Sequence, residues 1–147
     1  TLAQQVPVAA AVIITTPQDI ALQDAVKGIA MFKKVELPVL GIIENMSYHV
    51  CSNCGHQSHV FGKDGGEAIA QKYNSQLLGQ LPLDIEIRED ADSGDSIVIK
   101  NSTSDITLQY RKIARKIAAQ LFLQHQNRTS PSDDIIFKVK LTPEEEQ

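Results

Sequence analysis

The sequence predicts an α/β fold built on a parallel sheet, and three short apolar runs predict its strands. The runs cover residues 9–15, 39–44 and 77–82. Each is almost wholly apolar, as expected of strands that are buried on both faces of a parallel sheet. Segments with apolar residues at helical spacing lie between and after these runs. Strands that alternate with helices indicate crossover connections in a parallel sheet.

The first predicted strand is followed by a helix-start signal. Thr16 can cap the helix, Pro17 suits the first helical position, and Asp19 complements the helix dipole in the first turn. The apolar residues that then repeat at helical spacing are Leu22, Ala25, Val26, Ile29 and Ala30. We interpret the neighbouring Met31 and Phe32 as core residues.

The later elements continue the alternation. Glycines open a short helix predicted over residues 65–73, and Pro82 stops the third strand. A long helix is predicted over residues 103–124. Its apolar repeat consists of Ile106, Tyr110, Ile113, Ala114, Ile117, Ala118 and Leu121. We expect the acidic residues of segment 86–95 to form a solvated helix face rather than a pair of catalytic carboxylates.

Length and composition bound the domain organisation. A chain of 147 residues with 42% apolar residues can bury one core. We therefore expect one domain over residues 1–125, followed by a linker and terminal extension over residues 126–147. In this extension, residues 135–141 alternate well enough to form one strand. A loosely held terminus is the alternative interpretation.

Charge and hydropathy exclude several classes of partner. The net charge is −4 and the isoelectric point about 5.5, whereas a nucleic-acid partner requires a basic face. No apolar run approaches the length that spans a membrane, and no signal peptide is visible. Two cysteines do not make a secreted disulfide framework. A reducing, cytoplasmic location is therefore expected.

The two cysteines form the strongest chemical motif. Cys51 and Cys54 are separated by two residues, so a tight turn can direct both sulfurs at one soft metal centre. One such pair supplies half of a four-ligand site. The other half can come from His56 and His59 or from the same pair in a second copy. A thioredoxin-type redox role is less favoured because Gly55 follows the pair at once.

The remaining candidate residues carry weaker signals. Ser47 has no histidine at a suggestive spacing, so we do not interpret it as a nucleophile. His49, His56, His59 and His125 are expected to be solvated loop residues.

A series of motifs in fixed order resembles one protein family. The motifs are Thr15-Thr16-Pro17-Gln18, Gly41-Ile-Ile-Glu-Asn-Met-Ser47, Cys51-x-x-Cys54-Gly55, Phe61-Gly62, Gly65-Gly66, Leu78-Gly79, Leu81-Pro82-Leu83-Asp84 and Ile87-Arg88-Glu89. Together they resemble the C-terminal part of the Mrp/ApbC family of iron–sulfur cluster carriers, which are deviant-Walker P-loop ATPases related to MinD. The resemblance covers roughly residues 5–123, which makes it far more specific than any single motif.

The resemblance implies a P-loop NTPase-like fold that is incomplete in these 147 residues. The family's phosphate loop and first strands lie near its N-terminus, and this sequence contains no G-x-x-x-x-G-K-[ST] motif. The family binds and hydrolyses ATP with magnesium, so we expect that activity of the intact protein. Phosphoryl transfer depends on the loop, its lysine and the metal. We therefore expect no ATP hydrolysis by these residues alone, as in a fragment or split gene product.

The family's site residues can be carried over to matching positions. Asn45 follows the second strand, where related ATPases place an asparagine against the adenine, and a carboxamide offers both donor and acceptor to a purine edge. Pro82, Leu83 and Asp84 match the loop that covers the base. Without the resemblance, Asn45 is better explained as a residue that ends a strand by bonding its own backbone.

The family also implies a role for the cysteine pair. In that role, Cys51 and Cys54 from two chains hold a 4Fe–4S cluster in a homodimer. The cluster is then handed to apo iron–sulfur proteins. The alternatives are a zinc-binding structural or dimerisation module without cluster transfer, and a MinD-type ATPase. The cysteines argue against the latter, since that role needs no thiols.

Without the first strands, apolar sheet edges are expected to be exposed around Val12, Ile14, Leu40 and Ile42.

Overall fold

The computed structural model describes residues 6–127, with side chains up to residue 124. Four strands and five helices are assigned in this part of the chain. In chain order they are β1 (Ala11–Thr15), α1 (Asp19–Lys34), β2 (Val39–Val50), β3 (Gln57–Ser58), α2 (Gly65–Lys72), β4 (Leu77–Pro82), α3 (Ile85–Ser93), α4 (Ile97–Lys100) and α5 (Asp105–Asn127). The predicted strand over residues 135–141 lies outside the described residues.

The predicted parallel sheet is confirmed. The long strand β2 lies between β1 and β4 and pairs in parallel with both. Ile43 of β2 pairs with Ile14 on one side and with Gly79 on the other. The short strand β3 pairs in antiparallel fashion with the far end of β2 only. The sheet therefore places the carboxyl ends of β1 and β4 at one edge, beside the middle of β2.

Helices cover both faces of this sheet, as a parallel sheet requires. On one face α1 and α2 pack against Ile13 and Ile42, in a cluster that includes Ala25, Ile29, Ile69 and Ala70. On the other face α5 packs through Ile113 against Ile43, Leu78 and Leu81. The apolar stripes at helical spacing thus supply the packing that holds the helices to the sheet.

The start of α1 differs from the sequence prediction. The helix begins at Asp19, and its N-cap is Gln18, which makes no side-chain capping bond. Thr16 as the cap and Pro17 as the first helical residue were therefore wrong. Pro17 is instead buried, and its carbonyl oxygen lies 3.2 Å from the position of a Cβ built on Gly62. The turn thus packs against the loop that leads to α2.

Two predictions of burial in the core are corrected. Met31 was wrong, because its side chain is 53% exposed on the outer side of α1. Phe32 is partly buried and packs against the core as predicted. Among the expected exposed edge positions, Ile42 was wrong, because its central strand is covered on both sides and the residue is 0% exposed. Ile14 is 66% exposed as predicted.

The acidic segment is only partly a solvated face. Glu86, Glu89, Asp92 and Asp95 are exposed. Asp90 is buried and accepts a 2.6 Å hydrogen bond from Nζ of Lys100, which ties α3 to α4. The prediction of a solvated face was therefore wrong for Asp90. No helix of the described part is both long and apolar enough to cross a membrane.

Candidate functional site

The candidate site lies at the carboxyl edge of the sheet. Residues that follow β1 and β4 meet there with the middle of β2, because all three strands are parallel. Ligands of open α/β sheets bind outside the carboxyl ends of the strands. The predicted end of β2 at Glu44 was wrong, since the strand continues to Val50. This extension carries the chain from the sheet edge towards the cysteines.

A bulge separates the two halves of β2. The pairing register with β4 shifts between Glu44 and Tyr48, and Met46 adopts a left-handed backbone conformation with φ 54°. The Asn45 side-chain oxygen accepts a 3.0 Å hydrogen bond from the Met46 backbone N–H. A bulge of this kind redirects side chains at the edge of a sheet. Asn45 bonds its neighbour's backbone, and its carboxamide also lines a cavity.

The four residues assigned to the adenine side come together in that cavity. Asn45, Pro82, Leu83 and Asp84 all line one open cavity of about 570 Å³. The sequence did not indicate that Met46, His49, Val60 and Ile85 line the same space. Most of these side chains are apolar, with polar groups at the margin. Such a cavity is suited to a flat, largely apolar ring with a few polar edge atoms.

Hydrogen bonds connect the two walls of the cavity. The Leu83 N–H donates to the Tyr48 carbonyl at 2.6 Å, and Nδ1 of His49 lies 3.2 Å from the Leu83 carbonyl oxygen. An Asp84 carboxylate oxygen accepts from the Glu86 N–H at 2.8 Å and so caps α3. The Asp84 carboxylate therefore has a structural role, independent of any ligand.

The cysteines lie at the tip of a hairpin formed by the end of β2 and β3. The Cys51 N–H donates to the His56 carbonyl at 2.9 Å, and the Gly55 N–H donates to the Cys51 carbonyl at 2.8 Å. Gly55 has φ 70°, which favours glycine. Cys51 is half-buried, Cys54 is exposed, and both are free thiols. The tight turn predicted for this pair is thus present.

The backbone of the turn favours the thiolate at Cys51. The N–H groups of Cys54 and then of Asn53 hydrogen-bond the Cys51 sulfur, and the Cys54 side chain adds a weaker bond. These bonds hold the pKa of the Cys51 thiol below its ordinary value, although burial opposes them. The thiolate is the form that binds metals.

The two histidines that follow the cysteines, His56 and His59, differ in their surroundings. Nδ1 of His59 lies 2.9 Å from the Ser47 carbonyl oxygen, so the half-buried His59 is part of the packing and is not a solvated loop residue as predicted. His56 is exposed at the hairpin. Over residues 6–124, no three His, Cys, Asp or Glu side chains converge as a metal site would require. The described part of one chain supplies two thiols.

A buried polar cluster behind the cavity was missed by the sequence analysis. Glu44 is 0% exposed and bonds Ser47, Gln80 and the backbone of Gly66. The available signal was an acidic residue within an otherwise apolar strand. Helical and strand periodicity alone could not identify the residues that would be its partners.

The fold and its carboxyl-edge cavity define the class of the chain as an open α/β protein with a ligand-sized cavity at the carboxyl edge of a parallel sheet. Comparison identifies the particular family: the ParA model, described as NUBPL iron-transfer P-loop NTPase, matches residues 1–118. The chain therefore belongs to this family, which confirms the resemblance drawn from the motifs.

Individual relatives agree with this assignment. The iron–sulfur cluster carrier protein of Escherichia coli K12 is 60% identical over 124 residues, which are 84% of this chain and 34% of that protein. The iron–sulfur cluster transfer protein NUBPL of Mus musculus is 44% identical over 120 residues, 82% of this chain and 38% of that protein. The chain thus spans a third to two fifths of these relatives' lengths.

Solved structures share the fold. A nucleotide-binding protein of Archaeoglobus fulgidus in complex with ADP is 32% identical, with a TM-score of 0.54 over 66% of this chain and 39% of that one. The septum site-determining protein MinD of Pyrococcus horikoshii, complexed with Mg-ADP, has a TM-score of 0.60 over 79% of this chain and 44% of that one. At 24% identity, the MinD structure supports the fold alone.

Proposed function

We propose that this chain carries the cluster-binding cysteines and the adenine side of the nucleotide site of an iron–sulfur cluster carrier. The observation that carries the proposal is the exposed hairpin with Cys51 and Cys54. This hairpin continues the strand that lines the cavity at the carboxyl edge of the sheet, which we call the base-side cavity. The iron-transfer family and the carrier relatives support the same activity. ATP binding and hydrolysis with magnesium belong to the intact protein.

Two copies of the hairpin complete the cluster site. A 4Fe–4S cluster is held by four thiolates, whereas Cys51 and Cys54 are the only cysteines among the 147 residues. A twofold axis brings the same surface of two copies together. Cys54 is exposed, so its side chain is accessible to a second copy. The cluster is the cargo of this homodimer, and apo iron–sulfur proteins are its recipients.

The position of the cysteines suits transfer rather than storage. An exposed cluster at the tip of a hairpin can be reached by the thiols of a recipient, which must displace the carrier's thiolates. The backbone bonds that stabilise the Cys51 thiolate help loading at neutral pH. They also make Cys51 a better leaving ligand, because a thiol of low pKa is the more readily displaced.

The base-side cavity receives the adenine. The Asn45 carboxamide presents both donor and acceptor to the purine edge, and Pro82, Leu83 and Ile85 provide apolar walls for the ring. Asp84 keeps the loop in place through its cap on α3. Groups for the phosphates and magnesium are not assigned to the described residues, and the rest of the intact protein supplies them.

The test is anaerobic reconstitution with iron and sulfide, followed by iron and sulfide counts per chain and sizing. Cys51→Ser and Cys54→Ser should each abolish loading, because each leaves only two thiolates at a shared four-ligand site. His56→Ala is the matched control, since His56 is exposed at the same hairpin. It should load like the wild type. Loading should shift the chain towards the dimer, because a ligand that binds only the dimer stabilises it.

Two results would contradict the cluster bridge. One is full loading of a strict monomer, and the other is loading that fails in the His56→Ala variant as well as in the two cysteine variants. The second result would favour the zinc module with ligands Cys51, Cys54, His56 and His59. A bridged cluster also absorbs broadly near about 400 nm, whereas zinc is colourless.

A further inference from the structure

Glu44 is a fully buried carboxylate that makes three hydrogen bonds. Its side chain is 0% exposed, and it accepts from the Ser47 hydroxyl at 2.5 Å, the Gly66 N–H at 2.5 Å and the Gln80 amide at 2.9 Å. Among residues 6–124, no Lys, Arg or His side chain is ion-paired with it. Its charge is balanced by these donors and by the N-terminal dipole of α2.

The three donors come from three different parts of the site. Gly66 lies in the first turn of α2, Gln80 in β4, and Ser47 on the far side of the bulge in β2. A Cβ built on Gly66 would lie 3.0 Å from the Glu44 carboxylate, so this close approach favours glycine. Glu44 therefore joins the helix, the neighbouring strand and the extension of its own strand.

The residues between Glu44 and Ser47 form the turn of the bulge. Asn45 lies within this turn, whose two ends are tied by the bond from the Ser47 hydroxyl to Glu44. Beyond Ser47, two hydrogen bonds hold the strand extension. The Leu83 N–H donates to the Tyr48 carbonyl, and the Gln109 side-chain amide donates to the Tyr48 hydroxyl at 2.8 Å. Glu44 and its bond to Ser47 therefore enclose Asn45, which lines the cavity, and come before the cysteine hairpin in the sequence.

We propose that Glu44 is the positioning residue that holds Asn45 and the cysteine hairpin in fixed relation to each other. Its carboxylate sets the shape of the bulge, and the bulge sets the direction of Asn45 and of the strand that ends at Cys51. The purpose of this link rests on the proposed function, because it joins the base-side cavity to the cluster ligands. The alternative is that Glu44 only caps α2 through Gly66.

The test is amide hydrogen exchange by NMR on the full 147-residue chain and its variants Glu44→Ala, Glu44→Gln and Ser47→Ala. Three N–H groups report on the three regions: Gly66 for α2, Leu83 for the cavity wall and Cys51 for the hairpin. Glu44→Ala should accelerate exchange at all three by about tenfold or more, since hydrogen bonds to a charged group are lost. Glu44→Gln should act in the same direction but less strongly, because the amide keeps one acceptor oxygen while its NH2 group cannot accept from the remaining donors.

Ser47→Ala should accelerate exchange at Leu83 and Cys51 and leave Gly66 unchanged, because only the bond across the bulge is removed. Glu67→Ala is the control, since Glu67 lies in the same turn of α2 and bonds Gln71 rather than the cluster. This substitution should leave the exchange rates of the Leu83 and Cys51 N–H groups unchanged. If Glu44→Ala fails to fold, Glu44→Gln and Ser47→Ala still decide the question.

The proposal is overturned if Glu44→Gln and Ser47→Ala leave the Leu83 and Cys51 rates unchanged, which would leave only the cap on α2. It is also overturned if exchange accelerates uniformly, including at Ile43 and Leu78 in the core of the sheet. Iron and sulfide counts on the same variants separate the proposed role of Glu44 from the proposed function of the chain. A wild type that takes up no cluster contradicts the proposed function, whereas the exchange pattern tests Glu44 independently of cluster uptake.

Discussion

Backbone amides, rather than a neighbouring cation, favour the thiolate at Cys51. The backbone N–H groups of Cys54 and then of Asn53 lower the pKa of the Cys51 thiol, within a turn that the Gly55 N–H closes by donating to the Cys51 carbonyl. Hydrogen bonds to the charged form of a group stabilise that form and so lower the pKa of a thiol. The effect depends on the folded turn, because an extended peptide cannot direct both amides at one atom.

This dependence predicts a lowered alkylation midpoint for Cys51. In the Cys54→Ser variant, Cys51 is the only thiol, and the backbone N–H of residue 54, the largest cause of the shift, is retained. The pH midpoint of iodoacetamide alkylation should lie below that of the same cysteine in an unfolded peptide of residues 47–58. A peptide cysteine titrates near about 8.5. A midpoint in the folded chain equal to or above the peptide's would contradict the assignment.

At the scale of elements, the contact between β4 and α5 depends on a glycine. A Cβ built on Gly79 would lie 2.5 Å from Cγ1 of Ile113, which is itself buried. Gly28 in α1 differs, because a Cβ there would lie at an ordinary 3.6 Å from Ile13. The same substitution therefore has opposite expected effects at the two positions.

Gly79→Ala should lower the free energy of unfolding by about 1–3 kcal/mol, because overpacking forces the helix away from the strand. Gly28→Ala should raise it by roughly 0.5–1 kcal/mol, since alanine is favoured in a helix interior. Urea denaturation of both variants beside the wild type measures the difference. A neutral or stabilising Gly79→Ala would show that α5 does not pack on β4 as described.

At the scale of the whole molecule, the sheet has two outer strands in the described part. β1 and β4 each pair with β2 there. Adjacent residues of β1 point to opposite faces, so Ile13 is 7% exposed and Ile14 is 66% exposed. A large apolar side chain on an outer strand favours association with another chain.

Ile14→Lys should therefore reduce self-association of the reduced, metal-free chain while changing its stability by no more than about 0.5 kcal/mol. Ile13→Ala is the matched substitution on the buried face and should cost about 2–5 kcal/mol. Sedimentation velocity over a range of concentrations measures association, and urea denaturation measures stability. Unchanged association in Ile14→Lys would exclude this face as a contact surface.

Much of the fold and part of the site could be predicted from sequence. The strands could be recognised because their apolar runs are short and bounded by turn residues, and the helices because their apolar residues repeat at helical spacing. The strands and helices are properties of local pattern, which a single sequence contains. Asn45, Pro82, Leu83 and Asp84 were placed together by the family resemblance, and the position agrees with the rule that ligands bind at the carboxyl edge of a parallel sheet.

Tertiary structure decided the features that depend on partners from distant segments. The extension of β2 to Val50 requires β3 and the end of β4 to pair with it. The burial of Glu44 and Asp90 requires donors from other elements. Met31 and Ile14 are exposed because nothing in the described part covers them.

The sequence by itself determined the alternation of strands and helices, the two thiols and their two-residue spacing, since each depends only on neighbouring residues. Only the tertiary structure determined that the cysteine hairpin and the cavity at the carboxyl edge of the sheet share one strand. It also showed that a buried side chain, Glu44, accepts a hydrogen bond from Ser47 across the bulge between them. The physical reason is that a carboxylate can be buried only where several donors converge. Its donors here lie up to 36 residues away from it in sequence.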